Sequence, residues 1–268
     1  MSQTSKKAQR ANGTISIEVV GSENRIKKLF QQGSYRFIFP KNFKRIKEGI
    51  VINTAGGVTG GDRFDSYIKS SHGCSLIITT QAAEKAYEAS DDEAVFENSF
   101  KVEDGSKIYW LPQELILFSK SAVSRNTKIE VDNSSEFLAF DHVVLGRKAM
   151  GEILSGSNFF DRWKIYYDNS LVYFDQLGWK KEIPRGIAGF KNIASFASFY
   201  YVGKKAEYYL EKLRADQTHS DKVFSGSSLR NNCLITRVHS EDISAVREET
   251  KNLLRSIWNL EEPEVWRV

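Results

Sequence analysis

Few side chains in this 268-residue sequence are of the kinds that make or break bonds: four histidines (His72, His142, His219 and His239) and two cysteines (Cys74 and Cys233). Ser71-His72-Gly73-Cys74 sets an imidazole two positions from a thiol, which with Asp62 is the only economical constellation for a small hydrolase or transferase. Adjacent residues of an extended chain point to opposite sides, and an offset of two through a glycine suits a turn histidine beside a packed cysteine better than a nucleophilic pair. There is no Gly-X-Ser-X-Gly elbow and no His-Glu-X-X-His pair, and Phe224-Ser225-Gly226-Ser227-Ser228 matches neither. Asp91-Asp92-Glu93 reads as a solvated acidic edge. These residues specify no reaction, and the sequence reads as that of a non-enzyme.

A stronger signal is Asn53-Thr54-Ala55-Gly56-Gly57-Val58-Thr59-Gly60-Gly61-Asp62, which directly follows the apolar run Ile50-Val51-Ile52. Two glycine pairs this close mark a backbone that takes positive φ or approaches another backbone. A phosphate cradle would use the same freedom, but a Walker A loop needs Lys-Ser/Thr after its last glycine, and here Asp62-Arg63 follows. A dinucleotide fingerprint needs a helix next, whereas 63–69 alternates as a strand with Phe64, Ser66 and Ile68 on one side. The motif therefore reads as an acid-tipped bend between strands. Other oxygen donors stand singly, at Thr80, Gln81, Glu114, Asp141 beside His142, and Glu152. No set is spaced closely enough for a tight metal site, and two distant cysteines make neither a disulfide framework nor a zinc cluster. No tightly bound cofactor is expected.

The elements that must position these residues are mostly strands. Period-two alternation predicts strands over 14–20, 35–39, 76–80, 107–111, 114–118, 137–144, 163–167 and 171–177, with turn residues every eight to twelve positions. Asp104-Gly105 and Asp168-Asn169 read as hairpin turns. Residues 204–216 carry Ala206, Tyr209, Leu210 and Leu213 on one helical face, and a second helix, capped by Ser240 or Asp242, runs to about Asn259. Between them 233–238 reads as a buried strand, and 178–192 as a loop. Trp110, Pro112 and Phe118 are expected to pack the core, and Tyr200, Tyr201, Tyr208 and Tyr209 to be exposed interface anchors or core. The expected fold is mainly β (α+β): one large domain over 13–268, solenoid- or sandwich-like, with two helices near the C-terminus and a polar tail over 1–12.

Composition sets the outer limits. An apolar fraction of 41% and 12% aromatics allow a substantial core, and no apolar run nears the roughly 20 residues of a membrane span. The polar, basic N-terminus has no apolar stretch of a signal peptide, so a cytoplasmic protein without membrane contact is expected. The formal charge of +4 is spread among 38 basic and 34 acidic residues, and the densest basic run, 41–47, lacks the breadth of a nucleic-acid footprint.

As a string, the glycine motif closely resembles that of the urease accessory proteins called UreD, or UreH in some bacteria. Three further blocks fall in that family's order: Thr79-Thr80-Gln81-Ala82-Ala83-Glu84-Lys85-Ala86-Tyr87, Trp110-Leu111-Pro112-Gln113-Glu114-Leu115-Ile116-Leu117-Phe118, and Leu145-Gly146-Arg147-Lys148-Ala149-Met150-Gly151-Glu152. The resemblance covers about 50–152 and thins afterwards. It implies a β-rich, helix-decorated maturation factor that binds apo-urease, a UreF-like bridge and a UreG-like GTPase, and guides nickel to the urease active site. Under that reading Asp62, Glu152 and Asp141, with Gln81 and Thr80 beside them, line a path for transient nickel passage. The alternatives are that Asp62 caps the glycine bend, Glu152 pairs with Arg147, and Thr80 and Gln81 satisfy backbone at a strand end. A β-rich binding module without a metal role is the remaining alternative for the whole chain.

Overall fold

The computed structural model describes residues 10–41, 46–184, 190, 192–216 and 221–267. Residues 1–9 of the expected tail, most of the basic run 41–47 and part of the expected loop 178–192 lie outside them. Most of the strands bury one side or both, and among the described residues the strands are Asn12–Val20 (β1), Arg25–Gly33 (β2), Tyr35–Ile38 (β3), Lys47–Asn53 (β4), Arg63–Ser71 (β5), Ser75–Thr80 (β6), Glu84–Ala86 (β7), Ala94–Val102 (β8) and Lys107–Trp110 (β9). Then follow Leu115–Leu117 (β10), Ala122–Val131 (β11), Glu136–Leu145 (β12), Ser157–Tyr167 (β13), Ser170–Lys181 (β14), Ser195–Val202 (β15), Phe224–Arg230 (β16) and Cys233–Ser240 (β17). Helices span Ala206–Ala215 (α1) and Ile243–Ser256 (α2). The fold is mainly β with two helices toward the C-terminus, as expected.

One sheet has the order β14-β13-β11-β8-β5-β1-β2; the other runs β16-β17-β15-β12-β9-β6-β4-β3, with β10 and β7 attached beyond β12. From β4 to β13 the chain passes back and forth between the sheets, and the successive strands it adds to each are parallel. The arrangement is solenoid-like, closed at its later end by the antiparallel strands β14 to β17. Asp168-Asn169 closes the β13–β14 hairpin, both residues at positive φ. Asp104-Gly105 does not close a hairpin: it turns the corner from β8 in one sheet to β9 in the other, a positive-φ turn that in sequence looks the same. The expected loop starts late, because β14 continues to Lys181 against β13.

Two apolar layers result. Between the sheets lie Phe64, Phe96, Phe100, Trp110, Phe137, Phe159 and Trp163; between the ten-stranded sheet and the helices lie Phe140, Phe199, Tyr201, Leu210, Leu253 and Trp258. Asp242 rather than Ser240 caps α2, its side chain accepting from Ser244 N at 2.9 Å. Tyr200 and Tyr201 are not exposed: β15 is covered on both faces, and their hydroxyls donate to Asp175 (2.6 Å) and Glu136 (3.0 Å). Tyr208 remains half-exposed, and Tyr209 packs against Tyr201 and Trp258.

Phe100 is fully buried and touches Trp110 and Phe137 across the inter-sheet layer, each at 5.2 Å between ring centroids. Phe100→Ala leaves a cavity that two sheets cannot close, so a loss of about 3–5 kcal/mol in denaturant unfolding is expected.

Candidate functional site

The ends of several strands bring distant segments of sequence into one short ladder. Val58 bridges Ala86; β7 pairs with β10 through Glu84–Leu115 and Ala86–Leu117; β10 pairs with the end of β12 through Leu115–Val143 and Leu117–Leu145. Val58 N donates to Lys85 O and Tyr87 N to Val58 O, both at 2.8 Å, while Phe118 N donates to Ala86 O and Gly146 N to Leu117 O. All four sequence blocks singled out above meet here. They were separated by up to about a hundred residues in sequence.

The glycines make this approach feasible. Gly57 takes φ +136°, and a Cβ there would sit 2.6 Å from Lys85 O and collide with the Tyr87 ring; at Gly60 a Cβ would collide with the carbonyl oxygen of Asp92. Asp62 is buried and closes the bend: Oδ2 accepts from Thr59 N and Oδ1 from Ala11 N, each at 2.8 Å. β1 therefore begins at Asn12, tied at its start to the same carboxylate. Nearby, burial pushes Glu84 up to about 7, opposed by two contacts from Asn53 Nδ2 (3.0 and 3.1 Å), and the charge of Asp62 adds to the rise.

On the far side of the ladder Glu152 accepts from Arg147 Nε at 2.6 Å and from Ser119 N at 3.0 Å. The Arg147 bond is the main reason its carboxyl falls to about 2. Arg147 also lies over the Phe118 ring at 4.3 Å, and Tyr87 meets Phe118 edge-on. Thr80 Oγ1 accepts from Gln113 N at 2.9 Å, and Gln81 lends its carbonyl to the Gln113 amide. Asp62 and Glu152 thus flank one ladder. Asp141 is elsewhere.

Asp141 sits on β12 four residues before Leu145, about 13 Å along the strand, and points between the sheets. Arg125 of β11 reaches it with two nitrogens (2.9 and 2.7 Å) and reaches Asp161 of β13 at 2.8 Å. Trp163 Nε1 also donates to Asp161 Oδ2, at 3.0 Å, whereas Asp161 Oδ1 is buried without a partner among the described residues. Asp175 of β14 takes bonds from Tyr200 and Arg237. The three carboxylates border a cavity of about 310 Å³ shared with His239 and Ser198. Asp161 and Asp175 were not singled out in the sequence. On β13 and β14 the signal was faint: acids at positions whose neighbours two away are aromatic or apolar.

The UreD urease accessory protein family model matches residues 9–267. Urease accessory protein UreD of Rhizobium leguminosarum bv. trifolii is 34% identical over 270 residues, covering 97% of this chain and 96% of that one. That of Agrobacterium fabrum is 35% identical over 266 residues, covering 94% and 91%. The chain belongs to the UreD family. The match extends well past Glu152, where the sequence resemblance thinned.

In this UreD chain the His72-Cys74 pair does not form. The Cys74 thiol is buried, donates to Ser71 O (3.1 Å) and Gly21 O (3.3 Å), and is shifted upward by that burial, while His72 is a turn residue at φ +62° beside Ser71 and Asp104. Asp62 stands at the opposite end of β5 from both. Among the described residues no group of three or more His, Cys, Asp or Glu side chains could hold a metal ion, and no helix is long and apolar enough to cross a membrane.

Two measurements probe these carboxylates. Asp62→Ala orphans two amides bound to a charged acceptor, so a loss of about 2–4 kcal/mol in unfolding free energy is expected. For Asp161, burial lifts the carboxyl to about 6 although Arg125 pulls it down, and the Asp141 charge adds to the lift. An unfolded aspartate titrates near about 3.9, so the folded chain keeps a proton the unfolded one has released; stability is highest below about 3.9 and is lost as pH rises through about 6. Asp161→Asn lacks this loss. Its melting temperature relative to the parent is expected to climb across that window, and a pH-independent difference would contradict the assignment.

Proposed function

We propose that this chain is a non-catalytic urease maturation factor of the cytoplasm, which binds apo-urease together with UreF-like and UreG-like accessory proteins and guides nickel toward the urease active site. Family membership over nearly the whole length carries the maturation role. The passage of nickel is supported by the acid-bordered cavity between the sheets. A carrier has to release its ion, and carboxylates beside water attract a divalent cation without the closed shell that would trap it. Three carboxylates, Asp141, Asp161 and Asp175, face two guanidiniums, Arg125 and Arg237, so the cluster has room for further positive charge, and Asp161 Oδ1 has no partner among the described residues.

Within this reading Asp141 borders the interior route, while Asp62 and Glu152, with Thr80 and Gln81 near them, shape the surface where the ladder ends. That ladder surface carries half-exposed Tyr87 and, on the segment between Arg147 and Leu154, the largely exposed Met150 and Ile153, which suit contact with a protein partner.

The test is activation of apo-urease with nickel, with the accessory proteins and with or without this chain. Asp161→Ala and Asp175→Asn are expected to lower activation by about tenfold or more while the variants still co-purify with urease. Cys74→Ser is expected to leave activation unchanged. Full activation by both acid variants would remove the nickel passage and leave a metal-free binding module; failure of the parent chain to co-purify with urease would remove the maturation role.

A further inference from the structure

The ten-stranded sheet has a second polar pocket, on the face away from the three carboxylates. A cavity of about 110 Å³ lies between β12, residues 112–114, helix α2 and Trp266. His142 projects into it from β12. The residue is only 2% exposed, and Nε2 has no hydrogen-bond partner among the described residues. A bare imidazole nitrogen in a protein interior is an exception to the rule that buried polar groups are paired, and a bound ion is one of its explanations.

Glu114, 8% exposed, borders the same cavity and is ion-paired with Arg247 of α2. A buried carboxylate needs a cation. Arg247 supplies one from outside: its side chain is 49% exposed, so it can withdraw into water when another cation takes its place on Glu114. Arg125, enclosed between the sheets at 12% exposure, has no such freedom.

We propose that this pocket is a transient site for a late first-row divalent metal ion, ligated by His142 Nε2 and a Glu114 carboxylate oxygen, with Arg247 as the cation that occupies Glu114 while the ion is away. Imidazole with carboxylate is a donor set such ions accept, and two protein ligands leave the remaining positions to water, which keeps binding weak. The cavity has room for an ion with a few waters, each claiming about 30 Å³. Because His142 follows Asp141 on one strand, the site lies a single sheet's thickness from the acid-bordered cavity. Only the choice of nickel as the physiological ion rests on the maturation reading; the site chemistry does not.

The probe is Ni²⁺ alone, titrated calorimetrically into the full-length chain, with X-ray absorption of the loaded protein. His142→Gln is expected to weaken the site about tenfold or more and to remove its imidazole scattering. Arg247→Ala, a change on a half-exposed helix position, is expected to tighten Ni²⁺ several-fold by freeing Glu114, and this reading survives if His142→Gln fails to fold. A water-filled pocket only, with neither variant altering affinity or spectrum, overturns the inference. Should that result coincide with lost urease activation in the Asp161 and Asp175 variants, the inference falls while the maturation function stands. Nickel on His142 with urease activation indifferent to every acid variant supports the site and removes the nickel passage through the acid-bordered cavity.

Discussion

Strand β12 is buried on both faces and hydrogen-bonded along both edges, and the rest of the molecule is arranged around that constraint. Side chains alternate along a strand, so a doubly covered strand divides its residues between two dry layers. Phe137, Ala139 and Val143 join the inter-sheet layer, while Leu138 and Phe140 join the layer under the helices. Asp141 and His142 obey the same rule and are thereby parted, one facing Arg125 and the opposite sheet, the other facing α2. Each layer then has to satisfy its own polar group. The inter-sheet layer does so with the buried guanidinium of Arg125, whereas in the helix layer the half-exposed Arg247 pairs with Glu114 and His142 Nε2 has no partner among the described residues.

The edges of β12 matter as much as its faces. β9 accompanies its first residues and β10 its last, so β10 and β7 extend the sheet sideways where the main strands have ended. The glycine bend supplies the final rung at Val58. That rung requires a backbone as close to Lys85 and Asp92 as only glycine permits, and a carboxylate to collect the amides the bend leaves over. The acid at the tip of the motif is thus structural in its contacts, and so is Glu152, which fastens the segment after β12 to the residue after Phe118.

Legibility in the sequence followed burial. β1, β5 and β6 alternate or run apolar because one side or both is covered, and their period shows at once. β2 lies exposed at the edge of its sheet, with Lys27, Lys28, Gln31 and Gln32 among its apolar residues, and gave no readable period. β8 and β11 were missed because polar residues such as Glu97 and Asn126 sit on the outward side of a half-covered sheet. Tyr200 and Tyr201 were uncertain for the opposite reason: a tyrosine's hydroxyl suits either surface or core, and only the presence of Asp175 and Glu136 across the fold selects the core.

By itself the sequence determined the β-rich class, the two late helices, the acid-tipped bend and, through four ordered blocks, the family. Those are properties of local spacing and residue type, which the chain carries wherever it goes. Only the tertiary structure decided that the four blocks form one ladder, that Asp141 shares Arg125 with Asp161, that Asp175 borders the same cavity, and that His142 faces the other way toward Glu114. Charges separated by tens of residues become neighbours through strand pairing across two sheets, and pairing partners that far apart leave no mark on the local period of either strand.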